Sequence, residues 1–244
     1  MSGISYTRYE LRRTFRNRRF FFFSLGFPLA FYWLLAAPQR NDHNFSNSGL
    51  SVPLYYMVGL AAFGTMVSMI STGARIAGEH QVGWTRQLRI SPLSARAYFR
   101  AKVLTAYAMA LSSLLLLYAS GAALGVSLSA QRWLEMTGLI LIGLLPFAAL
   151  GVLIGHLVTT DSVGPAMGGG VSILAFLSGT WFPITGGFLH TVGQFLPSWW
   201  LVQASHVALN GHGWSARGWV TVAAWTAILS AGAAWAYRRD TNRV

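Results

Sequence analysis

The sequence predicts an all-α integral membrane protein with six transmembrane helices, and three observations lead to this fold class. Of its 244 residues, 54% are hydrophobic and only 10% are charged, whereas a soluble domain carries about a quarter charged residues. The basic residues cluster in alternate connections of the chain. Six apolar segments also approach the roughly 20 residues that a helix needs to cross a hydrocarbon core. They span residues 20–37, 54–73, 103–126, 137–158, 164–182 and 218–237 of one domain, 1–244.

The distribution of basic residues predicts the orientation of these segments. Fifteen of the 18 basic residues lie before the first segment, between the second and third, or after the sixth. The other three are Arg40, Arg132 and Arg217, on the opposite side. Because Lys and Arg are enriched in cytoplasmic loops, we expect both termini in the cytoplasm. The absence of Cys and the high Arg content suit a protein of the inner (plasma) membrane. The net charge of +12 therefore indicates the lipid bilayer as a partner and not a nucleic acid.

The N-terminal segment has a basic stripe at helical spacing with apolar residues beside it. This pattern is typical of a helix that lies in the membrane interface, and the alternative is a simple basic flank of the first span. Gly pairs at four-residue spacing predict close helix packing, and Ser94 is expected to cap the helix that re-enters the membrane. The residues concerned are Arg8, Arg12, Arg16 and Arg19 with Ile4, Leu11 and Phe15, and the pairs Gly121/Gly125, Gly151/Gly155 and Gly164/Gly168.

The sequence offers little for catalysis or metal binding. It has no Cys, and none of its six acidic residues lies in the middle of a predicted span, which argues against a proton- or sodium-coupled pump. His156 lies near the end of the fourth span, where an interfacial His is expected. Neither a phosphate-binding loop nor a Gly-x-Ser-x-Gly elbow occurs. We therefore expect no enzyme, no catalytic residue and no metal in this chain.

Two segments are unusual for a channel or a receptor. Residues 77–94, on the predicted cytoplasmic side, mix charged, aromatic and apolar residues and end near Pro92. They suggest a short surface helix that contacts a partner, although a solvated loop explains the charges equally well. Residues 176–200, on the outer side, are too apolar for a free loop and too interrupted for a span. Short re-entrant helices in the outer leaflet, between spans five and six, would fit.

In this order, the two segments resemble the permease subunits of type-2 ABC exporters, of the drug and antibiotic efflux kind. The resemblance covers nearly the whole chain. His80 and Trp84 depart from the family pattern, in which Arg and Thr are usual. The matching residues are Glu79-His80, Gly83-Trp84 and Leu88-Arg89-Ile90-Ser91-Pro92-Leu93-Ser94 in the first segment, and Ser178-Gly179, Phe182-Pro183, Leu196-Pro197 and Trp199-Trp200 in the second.

The resemblance implies an ATP-driven mechanism with separate subunits. Two permeases, identical or related, would pair, and each would dock on one of two ABC ATPase subunits that hold ATP and Mg. Residues 79–94 would be the coupling helix, and movement of the ATPases would shift the permease between inward- and outward-open states. The expected coupling residues are Glu79, His80, Trp84, Arg86 and Leu88.

The same resemblance places the substrate between the subunits, against spans two and five. With no charge at mid-span, a hydrophobic or amphiphilic drug, antibiotic or lipid-like molecule is favoured, and Met and aromatic side chains suit an adaptable site. The alternatives are a polysaccharide or glycolipid exporter and a scaffold without transport. The pathway candidates, which could equally pack against helices or lipid, are Tyr56, Phe63, Met66, Met69, Met167, Leu174 and Trp181.

Overall fold

A computed structural model describes residues 3–81, 94–210 and 213–241, and every regular element in these ranges is helical. The all-α prediction is therefore confirmed for the part of the chain that the structure describes. Two short helices and a π-helical turn, Phe22–Gly26, precede the first long apolar helix. The helices are α1 Gly3–Phe15, α2 Arg18–Phe21, α3 Phe27–Ala36, α4 Val52–Gln81, α5 Ala95–Ala123, α6 Ala130–Gly143, α7 Leu145–Leu157, α8 Thr160–Leu177, α9 Gly187–Gly193, α10 Pro197–Gln203, α11 Val207–Asn210 and α12 Ala216–Thr241.

Four helical stretches are long and apolar enough to cross a membrane: Val52–Glu79, Ala97–Ala123, Ala130–Leu157 and Ala216–Arg239. Two shorter apolar helices, Ser24–Ala36 and Gly168–Leu177, fall within the predicted first and fifth spans. The count of six spans stays a prediction, because these two are shorter than a full crossing requires.

Side-chain caps explain why two helices begin earlier than the apolar runs. Ser94 Oγ accepts a hydrogen bond from Ala97 N at 3.3 Å, so α5 begins well before residue 103. The predicted capping role of Ser94 is confirmed. Ser129 Oγ likewise accepts from Arg132 N at 3.4 Å at the start of α6. A cap fixes the first turn even where polar residues precede the apolar stretch.

Helix α4 is the centre of the bundle, and α12 lies at its edge. Of the apolar window in α4, 89% is buried inside the chain, against 22% in α12. Helix α4 packs against α3, α5, α7 and α8, and its side chains supply much of the main hydrophobic core. Span two is therefore covered by protein on nearly all sides, while span six offers most of its surface to the surroundings.

Glycines permit the closest approach of α4 and α7. A Cβ atom added to Gly151 would lie 2.6 Å from Met69 O, and one added to Gly155 would lie 2.7 Å from Ile76 Cβ. The predicted packing role is confirmed for this pair and for Gly121, which faces Met57. Gly125 lies beyond the end of α5 at φ +91° and has no described atom within 4 Å of an added Cβ. Gly164 and Gly168 likewise have none, so their packing role stays a prediction. Their side of α8 is open.

The segment that follows α8 is held together by neutral side chains that donate to backbone carbonyls. Trp200 Nε1 donates to Gln194 O at 3.1 Å, and Trp225 Nε1 donates to Phe195 O at 2.8 Å. Short helices leave their terminal carbonyls without helical partners, so these donors satisfy a broken backbone. The predicted short helices between spans five and six are present as α9, α10 and α11. Their position in the outer leaflet stays a prediction.

Candidate functional site: a buried charge cluster beside the predicted coupling segment

The N-terminal helix α1 turns a polar face toward the bundle. Tyr6, Glu10 and Thr14, which follow one another at four-residue spacing, are all buried. Residues four apart lie on one side of a helix, so this row forms the contact face, which packs on α5. The basic residues Arg8, Arg12 and Arg16 are exposed, as an interfacial helix requires. Sequence reasoning described this exposed stripe and missed the buried row, although its spacing is visible in the sequence.

Lys102 is at the centre of the cluster that this face completes. Its side chain is fully buried, and its Nζ lies 2.5 Å from Glu79 Oε1 and 3.0 Å from Glu10 Oε2. The contact with Glu10 is an ion pair without hydrogen-bond alignment. Tyr98 Oη donates to Glu79 Oε2 at 2.6 Å. One ammonium group thus joins a carboxylate from α1 and a carboxylate from α4.

Two arginines add positive charge around the carboxylates. Arg13 Nη1 lies 2.8 Å from Glu79 Oε1 and 3.4 Å from Glu10 Oε1. Burial lowers the pKa of Arg13, but its hydrogen bond to Glu79 and the charge of Glu10 outweigh burial and raise that pKa overall. Arg75 donates to the hydroxyl of Thr14. The cluster is therefore a network in which three cations surround two anions.

The cluster lies next to the predicted coupling segment, which makes it a candidate functional site. Helix α4 ends at Gln81 and helix α5 follows the Ser94 cap, so Glu79 and Lys102 lie close to the two ends of the predicted coupling segment. Removing one member of a buried ion pair leaves an uncompensated charge and costs about 3–5 kcal/mol. The network therefore fixes the two helices that carry the segment relative to each other and to α1.

Among the predicted coupling residues, Glu79 is the one whose side chain the structure describes. Glu79 was expected at the partner surface, but its side chain is only 3% exposed and both carboxylate oxygens are bonded within the chain. Trp84, Arg86 and Leu88 lie outside the described residues, and so does the side chain of His80. Glu79 thus holds the base of the segment from inside the chain.

The predicted pathway residues divide into a buried and a half-buried group. Tyr56, Met66 and Met69 are buried in the core, where α4 is covered by its neighbours. Met167 has no described side chain. Leu174 is half-buried on α8. Because α4 is buried on nearly all sides, hydrophobicity does not show which of its residues line a pathway. The sequence therefore could not distinguish its buried Met residues from accessible ones.

Phe63 and Trp181, the other two candidates, belong to a half-buried aromatic cluster with two residues that the sequence reasoning omitted. Phe63 lies 5.8 Å from Phe27 and 5.8 Å from Trp181 between ring centroids. Phe31 lies 5.9 Å from Trp181 in an edge-on arrangement. Phe27 and Phe31 are four residues apart on α3, a spacing that would have placed them on one face. The cluster joins α3 and α4 to the segment after α8.

Comparison with known proteins identifies the family to which this architecture belongs. Residues 36–236 match the family described as "ABC-2 family transporter protein". This chain is a member of that ABC-2 family. It is 30% identical over 199 residues to "Putative transport permease YvfS" of Bacillus subtilis (strain 168), an alignment that covers 78% of each chain. The resemblance to an ABC-2 permease subunit is confirmed.

As a member of this family, the chain is a multi-pass membrane permease subunit of an ABC transporter. The family implies an ABC ATPase as its partner. The matched range begins at residue 36. Glu79 and Lys102 therefore lie inside it, whereas Glu10 and Arg13 lie ahead of it. The charge cluster thus joins the matched domain to the N-terminal helix.

Proposed function

We propose that this ABC-2 permease exports a hydrophobic or amphiphilic small molecule out of the cytoplasm or inner leaflet, using ATP that a separate ATPase subunit hydrolyses. The observation that carries the proposal is the buried network of Glu10, Glu79 and Lys102 beside the segment 82–93. Because buried ion pairs hold the helices on both sides of this segment together, a displacement that reaches these helices moves them as a pair.

In this proposal the coupling residues have two different roles. Trp84, Arg86 and Leu88, with His80, contact the ATPase, since Trp and Arg are the residues that most often dominate binding energy at protein interfaces. Glu79 anchors the segment through Lys102 and does not touch the partner. Movement of the segment then shifts α4 and α5 together, because their ends share this network.

The aromatic cluster supports the substrate class. Phe27, Phe31, Phe63 and Trp181 are half-buried, and the stretches 20–37 and 52–72 that contribute three of them contain no charged residue. Apolar and aromatic walls with few polar groups suit a hydrophobic or amphiphilic ligand.

The complete transporter proposed here has two permease subunits and two ATPase subunits in the inner membrane. Each permease crosses six times with both termini in the cytoplasm. The open face of α8 supports the pairing of permeases, because Gly168, Gly169 and Gly170 have no described atom within 4 Å of an added Cβ and Ile173 beside them is 61% exposed. Small residues on an open transmembrane face permit close approach of a second helix.

The test compares a variant in the segment with a matched variant elsewhere. Trp84→Ala plus Arg86→Ala should reduce recovery of the ATPase with the permease from native membranes at least tenfold, since interface hot spots each contribute about 2 kcal/mol or more. ATP-dependent uptake of a hydrophobic fluorescent dye into inverted membrane vesicles should fall in parallel. The control is Trp235→Ala plus Arg239→Ala, which removes a stacked pair of the same composition from α12 and should leave both readouts unchanged.

Two results would contradict the proposal at different points. Equal ATPase recovery with wild type and the segment variant would remove residues 82–93 from the interface. Normal ATPase recovery without any ATP-dependent dye uptake, across dyes of different charge and size, would reject a hydrophobic or amphiphilic substrate while leaving the coupling assignment in place.

A further inference from the structure

A groove with a basic rim and an apolar floor runs between α1 and α5. It has a volume of about 530 Å³ and is lined by Thr7, Arg8 and Leu11 of α1 and by Arg100 and Leu104 of α5. The groove shares no lining residue with the charge cluster, which α1 joins through the buried row of Tyr6, Glu10 and Thr14. It is also separate from the proposed substrate surface on α3 and α4.

The two arginines of the groove lack acidic partners among the described residues. The described ion pairs engage Glu10 and Glu79 with Arg13 and Lys102, and Arg8 and Arg100 take part in none of them. Both side chains are exposed. Two guanidinium groups from different helices thus line one groove, and each guanidinium can donate two hydrogen bonds to phosphate oxygens.

The floor of the groove continues as an apolar track along α5. Leu104 is 49% exposed, and Leu111 and Leu115, which are 40% and 57% exposed, follow on the same face of the helix. At a rise of about 1.5 Å per residue, the helix from Leu104 to Leu115 extends over about 16 Å. This track begins next to Arg100 and carries no charge, so it suits a hydrocarbon chain and not water.

We propose that this groove binds an anionic phospholipid of the cytoplasmic leaflet. The phosphate lies between Arg8 and Arg100, and one acyl chain follows Leu104, Leu111 and Leu115. Basic pockets at the cytoplasmic ends of transmembrane helices are suited to anionic headgroups, and a juxtamembrane Arg contributes about 1 kcal/mol, equivalent to about a fivefold change in affinity. The inference depends on membrane location and not on which molecule the permease exports.

Lipid binding at this place would act on the N-terminal helix. The same short helix presents Arg8 to the groove and Glu10 to Lys102, so a bound headgroup fastens α1 against α5 from its outer side. Thus the lipid and the charge cluster hold one helix from two sides. An anionic membrane then stabilises the arrangement that carries the coupling segment.

The experiment measures binding of palmitoyl-oleoyl phosphatidylglycerol to the purified full-length permease by native mass spectrometry. Arg8→Gln plus Arg100→Gln should weaken binding roughly 20- to 30-fold relative to wild type, because two headgroup contacts are lost. Arg238→Gln plus Arg239→Gln, which removes two exposed charges from α12, should change it less than about twofold. Arg8→Lys plus Arg100→Lys should retain most of the binding, and phosphatidylcholine should bind weakly to every variant.

Three results would overturn the proposal. Unchanged phosphatidylglycerol binding in the Gln variant of the groove would show that the headgroup lies elsewhere. An equal loss in the α12 variant would mean that the lipid responds to total surface charge alone. Displacement of the lipid by inorganic phosphate at comparable concentration would remove the acyl track from the site. Both substituted arginines are exposed, so an unchanged melting temperature of the Gln variant should accompany its loss of lipid.

Discussion

At the end of the bundle where α1 lies, charged side chains join the helices, whereas at the opposite end neutral side chains bond to backbone carbonyls. Lys102 connects Glu10 and Glu79 across three helices in the first region. In the second region, the Tyr55 hydroxyl donates to Gly179 O and Trp200 Nε1 donates to Gln194 O. Both regions are densely bonded, but the partners differ in kind.

The backbone explains this difference. At the charged end, α4 and α5 are continuous helices of 30 and 29 residues, so their carbonyls are satisfied within the helix and only side chains are left to connect them. At the other end, the chain breaks after α8, with Gly179 at φ +74°. Carbonyls freed by such a break need donors, especially in an apolar environment. Charge pairs therefore make a stiff joint, while neutral bonds close an irregular segment.

The largest expected effect comes from breaking the charged joint at its centre. Lys102→Met keeps the length of the side chain but removes the buried cation that Glu10 and Glu79 share, leaving them with the half-exposed Arg13. Removing one partner of a buried ion pair costs about 3–5 kcal/mol, so the variant should lose most of its folded population in detergent. Thermal melting followed by size-exclusion chromatography would measure the loss.

The comparison within the same helix controls for this substitution. Arg100→Met removes an exposed charge two residues away and should shift stability by about 0.5 kcal/mol or less. Adding Glu79→Gln to Lys102→Met should destabilise less than the sum of the single changes, because one of the stranded carboxylates is then neutral. Equal melting temperatures for Lys102→Met and Arg100→Met would mean that the joint is not held by charge.

A smaller effect is expected at the neutral end. Tyr55→Phe deletes the hydroxyl that donates to Gly179 O and leaves that carbonyl without this donor, which costs about 1–3 kcal/mol for a buried group. Tyr56→Phe is the matched change on the next residue, where the hydroxyl donates to Trp181 O over a longer distance of 3.3 Å. We expect the melting temperature to fall more for Tyr55→Phe than for Tyr56→Phe. The reverse order would show that the bond to Gly179 does not stabilise the break.

The sequence predicted the elements of this fold better than the contacts between them. Apolar runs located the helices, and Ser94 was correctly expected to cap α5. The role of Glu79 within the chain was not foreseen, because its partner Arg13 is 66 residues away and no local pattern indicates such a pairing. The rule that places Lys and Arg on the cytoplasmic side accounts for Lys102 without revealing that it is buried.

The candidate substrate surface shows the same limit. Phe63 and Trp181 were selected from the sequence and do lie together, but Met66 and Met69 were selected by the same reasoning and are buried. Helix α4 does have a polar row at helical spacing, but Thr65, Ser68, Thr72 and Glu79 in that row are buried as well, so polarity does not mark its accessible side. Only the neighbours of a helix decide which of its apolar side chains are accessible.

The smallest expected effect again concerns the neutral end, and it depends on pH. His206 follows α10 in a short helical turn, and burial lowers the pKa of its imidazole. Arg132, the nearby cation on α6, is engaged with Ala208 O at 3.2 Å. The folded protein therefore keeps His206 neutral where the unfolded chain, with a pKa of about 6.5, takes up a proton. Stability from this group is present above pH of about 6.5 and is lost as the pH falls below it.

The melting temperature of wild type should thus drop more steeply from pH 8 to pH 5 than that of His206→Gln. The drop should be smaller than the effect of Tyr55→Phe because a single partly exposed group titrates. Parallel curves for the two proteins would show that the irregular segment holds no buried neutral His, and the charged joint would then have no titrating counterpart at the other end.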